Sequence, residues 1–143
     1  MDSGTLTFTA SANEPVLNIC VKLNEQLVYQ GVPGVEPLPI KCKFNDDDTC
    51  EYVLTIELSG KTIDHTKVDD QGNIIKDILI TLSEFKLEDI DISQVIFKHA
   101  AYHHNFNGTQ DKIVDSFHGT IGCNGQVIFK FQSPSYLWLL ENM

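Results

Sequence analysis

The sequence predicts an all-β fold, an antiparallel β-sandwich of jelly-roll type with about nine or ten short strands, and three observations carry that prediction. Apolar and polar residues alternate with period two through most of the chain, which puts one face of each segment in a core and the other in water. Turn residues recur at short intervals. No long segment shows the 3.6-residue apolar period of an amphipathic helix. A closed barrel is the second architecture compatible with the same pattern.

Taken in order, Leu6, Phe8 and Ala10 alternate with Thr5, Thr7 and Thr9, a strand with one threonine face. Val16–Leu23 reads as a second strand, with Gln26–Tyr29 as its partner after the turn Asn24-Glu25. Gly31–Pro39 carries three of the five prolines, and a residue without an N–H cannot sit inside a ladder, so this stretch is an exposed loop or edge crossing. Ile40, Cys42 and Phe44 alternate with Lys41 and Lys43 and run into the acidic turn Asn45–Thr49, from which Tyr52–Leu58 returns. Ser59–Asn73 is polar and ends in the turn-forming run Asp69-Asp70-Gln71-Gly72-Asn73. Ile74–Leu82 resumes strand character, and Ser83–Ser93 fits either a strand or a short helical turn. Val95–His99 reads as a further strand leading into the loop Tyr102–Thr109. Ile113–Ile121 and Val127–Phe131 read as a hairpin closed by Gly122-Cys123-Asn124-Gly125, because Asn-Gly accepts the positive φ of a tight turn. The apolar tail Tyr136–Leu140 is strand-sized and follows Pro134; it pairs back on the sheet or packs as a lid.

At 143 residues and 16.1 kDa the chain is one domain, 1–143, with no repeat and no linker to divide it. Ten Lys and Arg against twenty Asp and Glu leave a formal charge of −10 and an isoelectric point near 4.7. Such a surface repels polyanions, which argues against a nucleic-acid partner and equally against an anionic membrane. A hydrophobic fraction of 42% excludes a disordered acidic tail. The N-terminus has neither the basic region nor the apolar stretch of a secretory signal, so synthesis and release in a cytoplasm are expected. Cys20, Cys42, Cys50 and Cys123 are too scattered for a zinc site and read as reduced strand or core cysteines, with a Cys42–Cys50 bridge as the alternative.

The motifs for chemistry are sparse. Ser59-Gly60-Lys61-Thr62 contains the end of a phosphate loop, but Thr55 stands where that loop needs glycine and no helix pattern follows, so it reads as a turn. His99, His103, His104 and His118 could approach one another, although adjacent His103 and His104 on a strand face opposite ways and at most one of them joins a given site. The acidic runs Asp46-Asp47-Asp48 and Asp69–Asn73 gather the oxygen ligands Ca²⁺ prefers without matching an EF-hand; their other reading is a solvated turn that protects a sheet edge. Tyr102, His104, Asn105 and Asn107 combine a ring for stacking on a sugar with side chains that hydrogen-bond hydroxyls, and the alternative for Tyr102 is a strand-end aromatic capping the sandwich. Trp138, the one tryptophan, lies in an apolar run and reads as core or interface. No nucleophile, base and orienting group occur together, so the sequence does not read as an enzyme.

Glu57–Thr62 with His65-Thr66 and Gly72–Asp77, together with Tyr102–Gly108, Gly122–Gly125 and the ending Tyr136–Met143, resembles small accessory proteins of marine tailed bacteriophages, cyanophages in particular. The strand layout is also similar to calcium-dependent xylan-binding modules, with Asp46–Asp48 as the comparable loop. The two resemblances imply a non-enzymatic, lectin-like virion component, made in the host cytoplasm. It would bind surface glycan, either need no cofactor or hold Ca²⁺ with Asp46, Asp47 and Asp48, and assemble with itself or other virion proteins. The alternative implied is a purely structural capsid, tail or fibre protein whose apolar C-terminus docks on a partner.

Overall fold

The computed structural model describes residues 3–46, 49–61, 67–104 and 113–142. Its elements are β1 (Ser3–Ala12), β2 (Asn18–Leu23), β3 (Gln26–Gly31), β4 (Leu38–Asn45), β5 (Cys50–Ser59), β6 (Lys67–Val68), β7 (Ile74–Lys76), β8 (Ile80–Leu87), β9 (Ile90–Asp91), α1 (Ser93–His99), β10 (Ala101–His104), β11 (Ile113–Ser116), β12 (Thr120–Ile121), β13 (Gly125–Ser133) and α2 (Ser135–Asn142). They build two antiparallel sheets. One has the order β12-β8-β1-β4 with β9 also on β8; the other runs β11-β10-β13-β5-β2-β3. β6 and β7 form a separate ribbon. The expected sandwich is therefore the observed one.

Period-two alternation sets the layers. Leu6, Phe8 and Ala10 of β1, Ile40, Cys42 and Phe44 of β4, and Ile80, Leu82, Phe85 and Leu87 of β8 line one inner face. Ile19 and Val21 of β2, Tyr52, Leu54, Ile56 and Leu58 of β5, and Val127, Phe129 and Phe131 of β13 line the other. Aromatic rings lock the faces together. Across the sheets, Phe44 meets Tyr52 and Phe131 with ring centroids 5.1 Å apart in each case; within one sheet, Phe8 stacks on Phe85 at 5.2 Å. Such pairs add about 0.5–1.5 kcal/mol each beyond the area they bury.

Five sequence expectations are corrected. Val95–His99 belongs to a helix, because Ile92, Val95, Ile96 and Ala100 are buried at helical rather than strand spacing, with Ile96 N–H donating to Ile92 O at 2.9 Å. The tail is likewise the helix α2, with Ser135 and Leu139, four residues apart, buried. Its N-terminus is held by Asp46, whose two carboxylate oxygens accept from Ser135 N–H at 2.6 Å and Ser135 O–H at 2.7 Å, an anion where the helix dipole favours one. Ile113–Ile121 and Val127–Phe131 do not form a hairpin. β11 pairs with β10, β12 crosses to β8 in the other sheet, and β13 lies between β10 and β5. Nor do the strands flanking Asn45–Thr49 pair: β4 lies on β1 and β5 on β13 and β2, so the turn passes between sheets and Cys42 and Cys50 are free thiols. Between β7 and β8 the segment 77–79 leaves strand geometry.

Candidate functional site

The registers give the sandwich two ends. At one end lie the start of β5 and the close of β13, where Ser133 is opposite Cys50, together with Asp46 and α2. At the other, Gly125 is opposite both Leu58 and His104. Eight residues separate Cys50 from Leu58, about 26 Å at the roughly 3.3 Å rise of a strand. Asp46 and the β10 residues Tyr102 and His104 are thus at opposite ends of the sandwich.

β10 pairs with β13 so that Tyr102 sits opposite Val127, an inward residue, which turns Tyr102 and His104 into the sandwich. Tyr102 is 7% exposed and His104 6%. The Tyr102 hydroxyl donates to the Cys123 carbonyl and accepts the Cys123 N–H at 2.9 Å. Burial pushes its phenol well above the ordinary tyrosine range. His104 packs against the Tyr102 ring at 4.5 Å and its Nε2 lies 2.7 Å from Asp115 Oδ2. Tyr102 is therefore no stacking platform: its ring is enclosed and its polar tip is used to hold the 122–125 turn. Asn105 and Asn107 lie outside the described residues, as do Asp47, Asp48 and His65.

The same end holds a buried cation. Gly60, at φ +89°, turns the chain after β5 so that Lys61 points inward, and its side chain is 1% exposed. The ammonium donates to Asp77 Oδ1 at 2.5 Å and to the Ile78 carbonyl at 2.6 Å. Asn124 clamps the Lys61 backbone, accepting from its N–H at 2.9 Å and donating to its carbonyl at 3.0 Å. Asn13 does the same for 77–79, donating to the Asp77 carbonyl at 2.6 Å and accepting the Leu79 N–H at 2.9 Å. The lysine of the Gly-Lys-Thr run thus ties three chain segments together, its ammonium engaged by Asp77 and the Ile78 carbonyl.

Both acidic runs are used as hydrogen-bond acceptors. Asp46 is occupied by Ser135. Asp69 accepts the N–H groups of Gln71 and Asn73, both at 2.9 Å, and the Asn73 amide first and then that of Gln71 hold its carboxyl below the usual carboxylate range. Among the described residues no three His, Cys, Asp or Glu side chains gather closely enough to hold an ion; of the expected calcium ligands only Asp46 is among those residues, and its carboxylate is engaged by Ser135. The four histidines do not gather at one point: His104 faces inward and His118 is exposed between β11 and β12, whereas His99 and His103 both face the same outer hollow.

What the fold does assemble is a groove of about 310 Å³ on the outer face of the six-stranded sheet. Among the described residues it is lined by His99 from the end of α1, Ala101 and His103 of β10, and Ile128 and Lys130 of β13. These are the residues that alternation turns outward, each between buried neighbours on its strand: Ala100 and Tyr102, then Val127, Phe129 and Phe131. Ahead of α1, the Asp91 carboxylate accepts the Ser93 N–H at 2.9 Å, and at its end His99 packs its ring against Trp138 at 6.1 Å. Trp138 itself is wedged against Phe129 at 5.6 Å and Phe131 at 6.3 Å, which fixes α2 beside the groove. Ala101 and Ile128 are opposite one another and form an apolar floor; the imidazoles and the ammonium are its polar walls. Sequence reasoning passed over Ile128 and Lys130. The signal available for them was the Val127, Phe129, Phe131 alternation, which leaves even-numbered positions facing out.

No family model matches the chain, and no curated protein matches it. Two solved structures are similar to it at a low level. One is vCBM60 in complex with galactobiose, 9% identical with a TM-score of 0.47, covering 87% of this chain and 96% of that one. The other is the selenomethionine form of vCBM60, described as part of an evolutionary link by circular permutation between two families of calcium-dependent carbohydrate-binding modules. It is 8% identical with a TM-score of 0.48, covering 88% of this chain and 89% of that one.

Proposed function

We propose that the chain is a non-enzymatic module that binds carbohydrate in the groove between α1, β10 and β13. The observation that carries this reading is the lining itself. A sugar ring presents C–H faces and hydroxyl edges, and the groove offers an apolar floor of Ala101 and Ile128 beside hydrogen-bonding walls of His99, His103 and Lys130. A volume of about 310 Å³ lies at the small end of the roughly 300–1,000 Å³ of small-molecule sites. No carboxylate is among the described lining residues, so the acid and nucleophile of a glycosidase have no counterpart there. The proposed setting is a virion of the tailed-phage type that the C-terminal two thirds resemble, with a cell-surface glycan as ligand and no calcium required.

The test is a glycan array followed by calorimetry, with and without a chelator. Binding that persists in chelator and falls when Ala101→Trp fills the floor supports the reading; an array with no binder sinks it. A second reading, assembly through α2, is favoured by Tyr136, Leu137 and Leu140, which are 62%, 47% and 76% exposed on one short helix. A chain that binds no glycan but self-associates, and that Leu140→Lys returns to monomer in light scattering, would establish that reading instead.

A further inference from the structure

The groove stands out from the rest of the molecule by its charge. The chain carries a formal −10, yet the three polar side chains among the groove's described lining residues are all basic in kind. None of the three forms a hydrogen bond or ion pair among the described residues; His99 has only its ring contact with Trp138. Their direct neighbours on the sheet are uncharged. Lys130 lies opposite Val53, and His103 lies opposite Gln126 on one side and Val114 on the other.

Among the described residues, the surrounding elements bring few competing carboxylates. On β5, Glu57 accepts from Gln126 Nε2 at 2.9 Å, and Glu51 lies opposite Gln132, one outward position beyond Lys130. On β11, Asp115 is turned onto His104. On α2, Glu141 lines a different hollow, beside Leu137 and Trp138. On α1, Lys98 adds a further exposed cation beside His99. An ammonium with no internal partner can give a charge-assisted hydrogen bond to a ligand anion without first breaking one of its own. At physiological salt, the surrounding acidity acts only over about 8 Å, so the local groups decide what enters.

We propose that the groove selects acidic saccharides, with the carboxylate or sulfate of a uronic or sulfated sugar held by Lys130 and His103 and the ring resting on Ala101 and Ile128. This rests on the carbohydrate reading of the same groove and makes it specific. It predicts a preference that a neutral-sugar site would lack.

Calorimetry against oligogalacturonate and chondroitin-sulfate oligosaccharides, compared with galactobiose and xylo-oligosaccharides, tests it. Acidic ligands are expected to bind at least ~10-fold tighter than neutral ones, the effect of one charge-assisted bond. Lys130→Met and His103→Gln should each lower the acidic-to-neutral affinity ratio by about that factor, with circular dichroism confirming that each variant is folded. Neutral glycans binding as well as acidic ones would overturn this inference and leave the carbohydrate reading standing. Acidic preference that neither variant moves would place the anion elsewhere and also overturn it. No glycan binding of either kind would remove both.

Discussion

The two faces of β10 use closely similar residues for opposite ends. Tyr102 and His104 point inward, where the phenol is bonded to Cys123 and the imidazole Nε2 to Asp115. Ala101 and His103 point outward into an open groove, and His103 has no hydrogen-bond partner among the described residues. His103 and His104 are chemically identical and adjacent, so their difference is produced by parity alone. The lysines repeat the lesson on a larger scale. Lys61 is enclosed and bonded to Asp77, while Lys130 is exposed and has no hydrogen-bond or ion-pair partner among the described residues. Polar residues that the fold has satisfied hold the end of the sandwich together, and those it has left unsatisfied are where a ligand can bind.

The sharpest way to break the comparison is at the lysines. Lys61→Met removes the cation and leaves the Asp77 carboxylate, only 23% exposed, beside an apolar chain. Removing one member of a buried pair costs about 3–5 kcal/mol, so the urea midpoint should fall steeply. Lys61→Met with Asp77→Leu should recover much of that loss, because replacing both charges with apolar groups removes the uncompensated one. A single variant as stable as the parent would mean that Lys61 is not the internal tie described here.

The alternation that made the sandwich legible in the sequence also hid the groove. Leu6, Phe8, Ala10 and Tyr52–Leu58 show their inward parity plainly because several apolar residues repeat it. β10 has four residues, Ala-Tyr-His-His, and no such run from which to read its parity; only its pairing with Val127 fixes it. The helices were missed for a related reason. Seven or eight residues hold barely two turns, and Val95-Ile96-Phe97 looks like a buried strand until Ile92 and Ala100 join the pattern. The turn 122–125 was located correctly as a turn, but its strands pair across different sheets, and sheet membership depends on contacts far apart in sequence. Lys61 could not be read as buried for the same reason, since its partners are 16 and 17 residues away, and 63 for Asn124.

On β10 itself, Tyr102→Phe keeps the ring and deletes the hydroxyl. The Cys123 N–H and carbonyl then lose their partner, at a cost of about 1–3 kcal/mol. The loss should also depend on pH. Burial raises the Tyr102 phenol in the folded chain, so its contribution is complete below the unfolded tyrosine value and declines as pH rises above it. Buried Cys42, pushed from 9.0 up to about 12, acts with the same sign over that interval. Tyr102→Phe should therefore be less stable than the parent at neutral pH and should lose less stability on going alkaline. Denaturation at a series of pH values would show a shallower alkaline limb, and an unchanged limb would mean that the phenol is not buried.

The smallest effect is expected on the outer face. Lys130→Met with His103→Gln changes two side chains that have no hydrogen-bond or ion-pair partner among the described residues. Surface substitutions of that kind usually change stability by no more than about 0.5 kcal/mol, so the urea midpoint should hardly move even though ligand preference changes. The pairing of results matters more than either alone. If the double variant unfolded as readily as Lys61→Met, His103 and Lys130 would be structural residues like their inward counterparts, and the distinction between the two faces would fail. A variant that keeps its stability and loses its acidic preference assigns the inner face to folding and the outer face to binding.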